Sequence, residues 1–266
     1  MARAIELAVR AKRICKPNPA VGAVIVRDGQ IVGEGFTQPV GHAHAEIVAL
    51  DQAGPHAEGA SLYATLEPCS HHGRTAPCID AILAAGIREV HASMVDPSPW
   101  VNGRGIAVLE SAGLDVTLGE KAGAAWQLNA GYFTWVERGR PLVTAMYEGS
   151  LEQARELASS QLEIIVPDSL EALAEDADRL VVDRSDGFDD LSEWPRALGS
   201  LAGQSVQHVI LDTSVATLES LAGLGLIDRI VLLPRFGGRQ VNVANDRRSR
   251  IDAITVNGLV ACSAVS

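Results

Sequence analysis

Apolar, β-branched runs alternate with helix-like segments along the first 140 residues, and this alternation restricts the fold more than any other feature of the sequence. The runs 20–26 and 30–36 flank an Arg-Asp-Gly turn, which is a strong hairpin signal. A hairpin followed by repeated helix–strand units predicts a three-layer α/β domain over 1–140, with a mixed sheet and helices on both faces. The predicted helices are 2–13, 43–53, 77–85, 104–112 and 120–138, and the predicted strands are 20–26, 30–36, 61–67, 89–95 and 114–119.

The character of the chain changes after residue 140. Between residues 152 and 193, thirteen Asp and Glu stand against three Arg, and no lysine follows Lys121. Strand-like runs continue to alternate with helix-like segments. We therefore predict a second, smaller α/β domain over 141–266. Its predicted strands are 162–167, 179–183, 208–212 and 229–234.

The overall charge restricts the partners of the chain. With a formal net charge of −11, the 266 residues offer no broad basic surface for a phosphate backbone, which argues against a nucleic-acid partner. No apolar run reaches the roughly 18 residues that suggest a transmembrane helix. The N-terminal segment resembles an amphipathic helix rather than a signal peptide, so we expect a cytoplasmic protein that does not engage membranes.

Three residues form a candidate metal site: His44 at a helix start, Cys69 just after a strand, and Cys78 at the next helix start. One imidazole and two thiolates give Zn²⁺ three protein ligands and leave its fourth position for water, as in a catalytic site. Two thiolates favour zinc over iron. The two remaining cysteines, Cys15 and Cys262, lie far from this motif, and we interpret them as buried thiols.

Glu46 lies two residues after His44, too close to be unrelated to the metal site. Positions i and i+2 do not share a helical face, so we expect Glu46 to reach the water and the substrate ring rather than the metal. That position suits a carrier of protons. A His-x-Glu followed by Pro-Cys and a second cysteine is typical of zinc nucleobase deaminases, although there two residues usually separate the cysteines and here eight do.

The segment that contains these eight residues resembles the deaminase half of the bifunctional riboflavin-biosynthesis deaminase/reductase. The resemblance covers about residues 1–140. It implies deamination of 2,5-diamino-6-ribosylamino-4(3H)-pyrimidinone 5′-phosphate, with His44, Cys69 and Cys78 as zinc ligands and Glu46 as the acid/base. The matching motifs are Asn18-Pro19-x-Val21-Gly22, His44-Ala45-Glu46, the run from Thr65 to Cys78, and Asp96-Pro97-x-Pro99 with Gly103-x-Gly105.

The same resemblance implies a substrate-binding set. The loop that carries His71, His72, Arg74 and Thr75 is expected to approach the ribose phosphate, and Asn18 is expected to contact the substrate. An arginine fork suits a phosphate group. The chain departs from the family at Thr37, where a histidine is usual, and His42 is a candidate to compensate.

In the family the second half is a reductase that resembles dihydrofolate reductase and uses NADPH. Here the usual lysine and serine after Arg140-Pro141 are missing, and Leu211-Asp212-Thr213 replaces a Glu-Gly-Gly turn. Because a dinucleotide needs close backbone approach and neutralising donors, an acidic segment without that glycine pair is poorly suited to it. We interpret residues 141–266 as a degenerate reductase domain that does not bind NADPH and is retained for folding or oligomerisation.

Other interpretations remain open at this point. The chain is either a riboflavin-pathway deaminase that works with a separate reductase, or a deaminase of a different amino-heterocycle, or a non-catalytic scaffold. The intact Glu46 argues against the scaffold. A structural zinc, closed by His71 or His72, is an alternative to the catalytic one. By resemblance we expect a homo-oligomer.

Overall fold

The computed structural model describes residues 1–73, 75–147, 163–165, 179–182, 193–212, 215–232, 251–256 and 259–264. The chain divides into two compact units, Met1–Glu137 and Arg138–Ser266. No helix in these ranges is long and apolar enough to cross a membrane. The first unit contains helices α1 (Ala2–Ala11), α2 (Ala45–Ala53), α3 (Cys78–Ala84), α4 (Arg104–Ser111) and α5 (Ala122–Arg138, which ends at the boundary), and strands β1 (Gly22–Arg27), β2 (Gln30–Phe36), β3 (Ser61–Ala64), β4 (Glu89–Ala92) and β5 (Asp115–Leu118).

The first unit has a mixed five-stranded sheet in the order β2-β1-β3-β4-β5. Strand β1 is antiparallel to both of its neighbours, whereas β3, β4 and β5 are parallel. The β1–β2 turn contains Asp28 with a φ of 51° and Gly29 with a φ of 76°. These left-handed values explain why an Asp-Gly pair forms this tight turn.

Helices cover both faces of this sheet. Ala23 and Ile25 of β1 lie in the main core, which also contains residues of α2, α3 and α4. Val24, which points to the opposite face, packs with Ala4 and Leu7 of α1. The predicted three-layer α/β class is therefore confirmed for this unit.

Helix α2 lies unusually close to β2 because two glycines of the strand face it. A Cβ atom on Gly33 would lie 2.1 Å from the carbonyl oxygen of Ala49, and one on Gly35 would lie 2.1 Å from that of Ala45. Real Cβ atoms do not come so close, so any side chain at these two positions would push the helix away. Since α2 begins at Ala45, this contact helps to fix the position of His44 next to it.

The described elements of the second unit are strands β6 (Leu142–Tyr147), β7 (Glu163–Ile165), β8 (Arg179–Val182), β9 (His208–Asp212), β10 (Arg229–Leu232), β11 (Ile251–Val256) and β12 (Leu259–Ala264), with helices α6 (Glu193–Gly203) and α7 (Val215–Gly223). In these ranges the strands form a seven-stranded sheet in the order β11-β12-β8-β9-β6-β10-β7. Its core packs β6 and β9 against α6, through residues such as Val143, Leu211 and Trp194.

An ionic network joins two strand starts in this unit. Arg140 forms two hydrogen bonds to the carboxylate of Asp228, at 2.6 and 2.8 Å, and the backbone N–H of Val143 donates to the same group at 2.8 Å. Asp228 immediately precedes β10, and Val143 lies in β6, so the network fixes these neighbouring parallel strands at one end. Strands β6, β11 and β12 were not among the predicted strands.

Candidate active site

Three separate elements supply the candidate metal ligands. His44 immediately precedes α2, Cys78 is the first residue of α3, and Cys69 lies in the loop after β3. The backbone N–H of Cys78 donates a hydrogen bond to the Cys69 sulfur at 3.3 Å, and that of Ile79 donates to the Cys69 carbonyl at 3.3 Å. The start of α3 is thereby fixed against the Cys69 loop.

The ligand atoms of His44, Cys69 and Cys78 lie within 4.8 Å of one another. Nδ1 of His44 is 3.2 Å from Sγ of Cys78 and 3.5 Å from Sγ of Cys69. Zinc–nitrogen and zinc–sulfur bonds at a tetrahedral angle place N and S about 3.5 Å apart. Three donors of these types at these distances fit a zinc ion.

The imidazole of His44 is oriented by its second nitrogen, because Nε2 lies 3.4 Å from Oγ1 of Thr75. Within the described residues, neither His71 nor His72 belongs to the ligand group. The group therefore has three candidate ligands among the described residues, the number typical of a catalytic zinc site rather than a closed structural one.

The two cysteine thiols have pKa values shifted in opposite directions. A hydrogen bond from the Cys78 thiol, with a further one from His44, lowers the pKa of Cys69, while the Cys69 thiolate and burial raise the pKa of Cys78. The hydrogen bond to Cys69 also raises the pKa of His44. Because zinc binds thiolates and neutral imidazole, metal binding is expected to release protons from this group.

Glu46 lies in the first turn of α2 and is only 4% exposed. Burial, followed by the charge of the Cys69 thiolate, raises the pKa of the Glu46 carboxyl to about 7. A carboxyl with that pKa both holds and releases a proton near neutral pH. It borders the same cavity as His44 and Cys69.

This cavity has a volume of about 650 Å³. Of the predicted substrate-binding residues, Asn18, His71 and Thr75 line it. His72 is exposed and is not part of the lining, and Arg74 lies outside the described residues. Thr37 and His42 both border the cavity; the hydroxyl oxygen of Thr37 accepts a hydrogen bond from the backbone N–H of Val21 at 3.0 Å.

A buried amide holds the segment that carries Asn18. The side chain of Asn129 in α5 donates to the carbonyl of Ala20 at 2.9 Å and accepts from the N–H of the same residue at 2.8 Å. Both residues are buried. This pair of hydrogen bonds fixes the 17–21 segment, part of which forms one wall of the cavity.

Several cavity residues were not predicted from the sequence as site residues. Tyr132 and Trp135 of α5 line one side, and Ser98 and Trp100 line another. Asp96 also borders the cavity, and burial raises the pKa of its carboxyl to about 6. The Asp-Pro-x-Pro motif indicated that the loop at Asp96 belongs to the site. The aromatic residues of α5, in contrast, have the spacing of ordinary core residues, so the sequence did not indicate that they border the cavity.

The chain is similar in sequence to zinc-binding deaminases and to riboflavin biosynthesis proteins. The profile of the cytidine and deoxycytidylate deaminase zinc-binding region matches residues 1–94. The riboflavin biosynthesis protein RibD of Escherichia coli (strain K12) is 50% identical over 161 residues, which cover 60% of this chain and 44% of that protein. The diaminohydroxyphosphoribosylamino-pyrimidine deaminase of Buchnera aphidicola is 44% identical over 141 residues, which cover 53% of this chain and 96% of that protein. The chain thus spans less than half the length of the first curated relatives that it matches.

Solved structures show the same similarity along the whole chain. Form 2 of RibD from Acinetobacter baumannii aligns with a TM-score of 0.66 and 27% identity, covering 98% of this chain and 96% of that one. A diaminohydroxyphosphoribosylaminopyrimidine deaminase/5-amino-6-(5-phosphoribosylamino)uracil reductase from Thermotoga maritima, at 24% identity and a TM-score of 0.64, shares the fold.

Proposed function

The chain belongs to the diaminohydroxyphosphoribosylaminopyrimidine deaminase family of riboflavin biosynthesis, and we propose that it hydrolyses 2,5-diamino-6-ribosylamino-4(3H)-pyrimidinone 5′-phosphate. In this reaction water replaces the amino group on a ring carbon, and the products are the 5-amino-uracil and ammonia. The observation that carries the proposal is the grouping of three zinc-type ligands beside the buried Glu46 in one cavity. A cavity of about 650 Å³ is within the range that encloses small ligands.

In this proposal His44, Cys69 and Cys78 hold the zinc ion. Zinc in such a site lowers the pKa of a water ligand to about 7 and so supplies a nucleophile at neutral pH. Thr75 restrains the His44 ring through its contact with Nε2, and the N–H of Cys78 restrains the Cys69 sulfur. These contacts orient the ligands before the metal arrives.

Glu46 carries the protons in this proposal. As a carboxylate it accepts a proton from the attacking water, and as a carboxylic acid it donates that proton to a ring nitrogen. The hydroxyl that has added to the ring carbon then gives its proton to Glu46, which passes it to the amino group. The carbon–nitrogen bond breaks, the hydroxyl becomes a carbonyl, and the amino group leaves as ammonia. The pKa of about 7 supports this role, because a general acid–base group works best when its pKa is near the working pH.

For the substrate we assign two regions of the cavity. The ring enters beside Glu46 and His44, where Asn18 borders the same space. His71 and Thr75, on the loop before α3, border the region that we assign to the ribose phosphate. From its place in the sequence motif, we propose that Arg74 is a further phosphate contact. An imidazole, a hydroxyl and a guanidinium are suitable donors for phosphate oxygens.

For the second half we propose that it does not reduce the product, so that a separate reductase completes the step. The sequence lacks the family lysine, serine and glycine pair, and the region 152–193 is strongly acidic. In the described part of this unit, Thr144 and His208 lie on adjacent strands and hydrogen-bond to each other at 2.8 Å in the core.

The test of the deaminase proposal is ammonia release from zinc-loaded protein. We expect turnover with the ribosylaminopyrimidine phosphate and much less with cytosine, guanine or free nucleosides. Zinc content measured on the same sample separates an incorrect substrate from an empty metal site. A zinc-replete protein that releases no ammonia from the phosphate would contradict the assignment.

A second candidate is the deamination of a different amino-heterocycle. It is favoured by Thr37, which borders the cavity and stands where the family usually has a histidine. Faster turnover of another amino-heterocycle than of the ribosylaminopyrimidine phosphate would support this second candidate.

A further inference from the structure

The buried carboxylate of Glu67 binds four backbone N–H groups in and after a loop that borders the cavity. Glu67 is 4% exposed, and its Oε2 accepts hydrogen bonds from the backbone N–H of Gly103 at 2.8 Å and of Asp96 at 3.2 Å. Its Oε1 accepts two more, from Gly105 at 2.8 Å and Ile106 at 3.3 Å, in the first turn of α4. One oxygen thus joins the two ends of residues 96–103, which we call the 96–103 loop, and the other binds the helix that follows.

Close backbone packing strengthens this arrangement. A Cβ atom on Gly105 would lie 2.1 Å from the carbonyl oxygen of Pro68. Pro68 lies between Glu67 and Cys69, so the start of α4 rests directly on the segment that leads to the candidate metal ligand. The carboxylate therefore connects the metal side of the cavity to the 96–103 loop.

The 96–103 loop presents an unusual residue to the cavity. Trp100 borders the cavity and is 69% exposed, whereas Val101 beside it is buried. A large aromatic ring exposed at the edge of a cavity offers apolar surface that a ligand can cover. Because the ends of the loop are fixed, the position of this ring depends on Glu67.

Resting on the proposed function, we propose that Glu67 is a positioning residue for substrate binding and that Trp100 is the residue it positions against the substrate. Some atoms of Glu67 also border the cavity. Both of its carboxylate oxygens, however, are engaged by backbone N–H groups. Glu67 therefore acts through the loop, and the effect appears in substrate affinity rather than in proton transfer.

The first test is Glu67→Gln. An amide has one acceptor oxygen, so in either orientation its NH₂ group faces one pair of backbone N–H donors and releases them. We expect KM to rise about tenfold, because the lost bonds are charge-assisted, while kcat and zinc content change little. A lower thermal midpoint with an unchanged KM would show that Glu67 is merely structural and would overturn the proposal.

The coupling of Glu67 to Trp100 is tested by a double-mutant cycle. Trp100→Ala is expected to raise KM by a similar factor, and Trp100→Phe is expected to recover part of the loss. In the Glu67→Gln background, Trp100→Ala is expected to raise KM less than it does alone, because the ring is already displaced. Independent effects that multiply would contradict positioning through the loop.

Matched controls exist in the same unit. Glu89 is a partly buried carboxylate that accepts a hydrogen bond from Ser61 at 2.9 Å, and Trp126 is a tryptophan 39% exposed; neither borders the cavity. Glu89→Gln and Trp126→Ala are expected to leave KM unchanged. A KM increase in these controls that equals the increase in the test variants would refute the specific role of the 96–103 loop.

Two measurements keep the proposal testable if Glu67→Gln folds poorly or the wild type shows no turnover. Gly103→Ala keeps the carboxylate but strains the base of the loop, where φ is +82°, and it is expected to raise KM in the same direction. Hydrogen exchange needs no substrate: Glu67→Gln is expected to speed exchange at the N–H groups of Asp96 and Gly103. Failure of turnover alone contradicts the proposed function, whereas unchanged exchange rates or an unchanged KM in Gly103→Ala contradict the positioning role.

Discussion

Glu46 combines almost complete burial with a pKa near neutrality, and this combination makes it the most informative residue to change. Glu46→Gln keeps the shape of the side chain but cannot transfer a proton. We expect kcat for ammonia release to fall by about 10²- to 10⁴-fold, the usual contribution of general acid–base catalysis, with zinc content retained. The measurement is steady-state ammonia release together with the zinc content of each protein.

The exposed Glu110 on α4 provides the control for that experiment. Glu110→Gln removes the same charge from the first unit and is expected to leave kcat unchanged. Undiminished turnover in Glu46→Gln would remove Glu46 from the mechanism. Loss of zinc in that variant would instead show that the carboxylate supports the metal site, which would contradict a purely proton-carrying role.

Asp96 gives a prediction on stability and pH. Burial raises the pKa of this carboxyl from 3.8 to about 6, so the fold favours its protonated form. The stability that it contributes is complete below a pH of about 4 and is lost as the pH rises through about 6. Asp96→Asn does not titrate, and its amide oxygen retains an acceptor for the N–H of Ser98, which now bonds Asp96 Oδ1 at 2.8 Å.

The stability of Asp96→Asn relative to wild type is therefore expected to increase between pH values of about 4 and 7 and then to level off. A shift of this size corresponds to a gain of about 3 kcal/mol. Thermal midpoints measured across this range test it, with the exposed Asp51→Asn as a control that shows no such trend. A constant difference between Asp96→Asn and wild type at all pH values would contradict the raised pKa.

Among the elements, the contact between β2 and α2 has the clearest consequence for the active site. In Gly35→Ala the new Cβ would lie 2.1 Å from the carbonyl oxygen of Ala45 and 2.7 Å from the backbone nitrogen of Ala49, so the helix must move. We expect a loss of stability of about 1–3 kcal/mol, typical of overpacking. Because His44 and Glu46 lie at the start of α2, zinc affinity is expected to fall as well.

Gly123→Ala is the matched control for this element. Gly123 lies in α5 with no atom within 4 Å of an added Cβ, so alanine is expected to stabilise the helix by about 0.5–1 kcal/mol without changing zinc affinity. Thermal midpoints and competition with a zinc chelator measure both effects. Equal behaviour of the two variants would show that the close contact at Gly35 has no special role.

The elements of the first unit were largely predictable because their signals are local. An Asp-Gly turn between two β-branched runs predicted a hairpin, and β1 and β2 form it. Boundaries differed where a strand ends before its apolar run does: residues 65–67 belong to the predicted strand, but β3 ends at Ala64. There the side chains of Thr65 and Glu67 bind backbone N–H groups of other segments, a competition that propensity does not reveal.

The grouping of His44, Cys69 and Cys78 was predictable from residue type and spacing, because few other arrangements of one imidazole and two thiols occur at such spacing. The position of Glu46 beside them followed from its place two residues after His44. Glu67 does not stand out in this way, because its partners are backbone N–H groups that every sequence contains. Tyr132 and Trp135 line the cavity because α5 packs beside it. This packing is a tertiary contact that the local sequence does not indicate.

The chain contains two compact units, and we propose deaminase activity for the first and no reductase activity for the second. The Buchnera deaminase is covered over 96% of its length by a match of 141 residues, so a protein of about the size of the first unit exists by itself. The second unit has its own core around β6, β9 and α6. Because its sequence lacks the family lysine and the glycine pair, we propose that this unit keeps the family fold without binding NADPH.

We expect the 266-residue chain to leave NADPH unoxidised. With the ribosylaminopyrimidine phosphate, we expect ammonia release at the same rate with and without NADPH, and no change in nicotinamide absorbance as the deaminated product accumulates. Addition of an active reductase from the same pathway is expected to start NADPH oxidation, which shows that the product is the correct one. NADPH oxidation by the chain alone would contradict the proposed loss, because the acidic second unit would then hold the dinucleotide without the missing lysine and glycine pair.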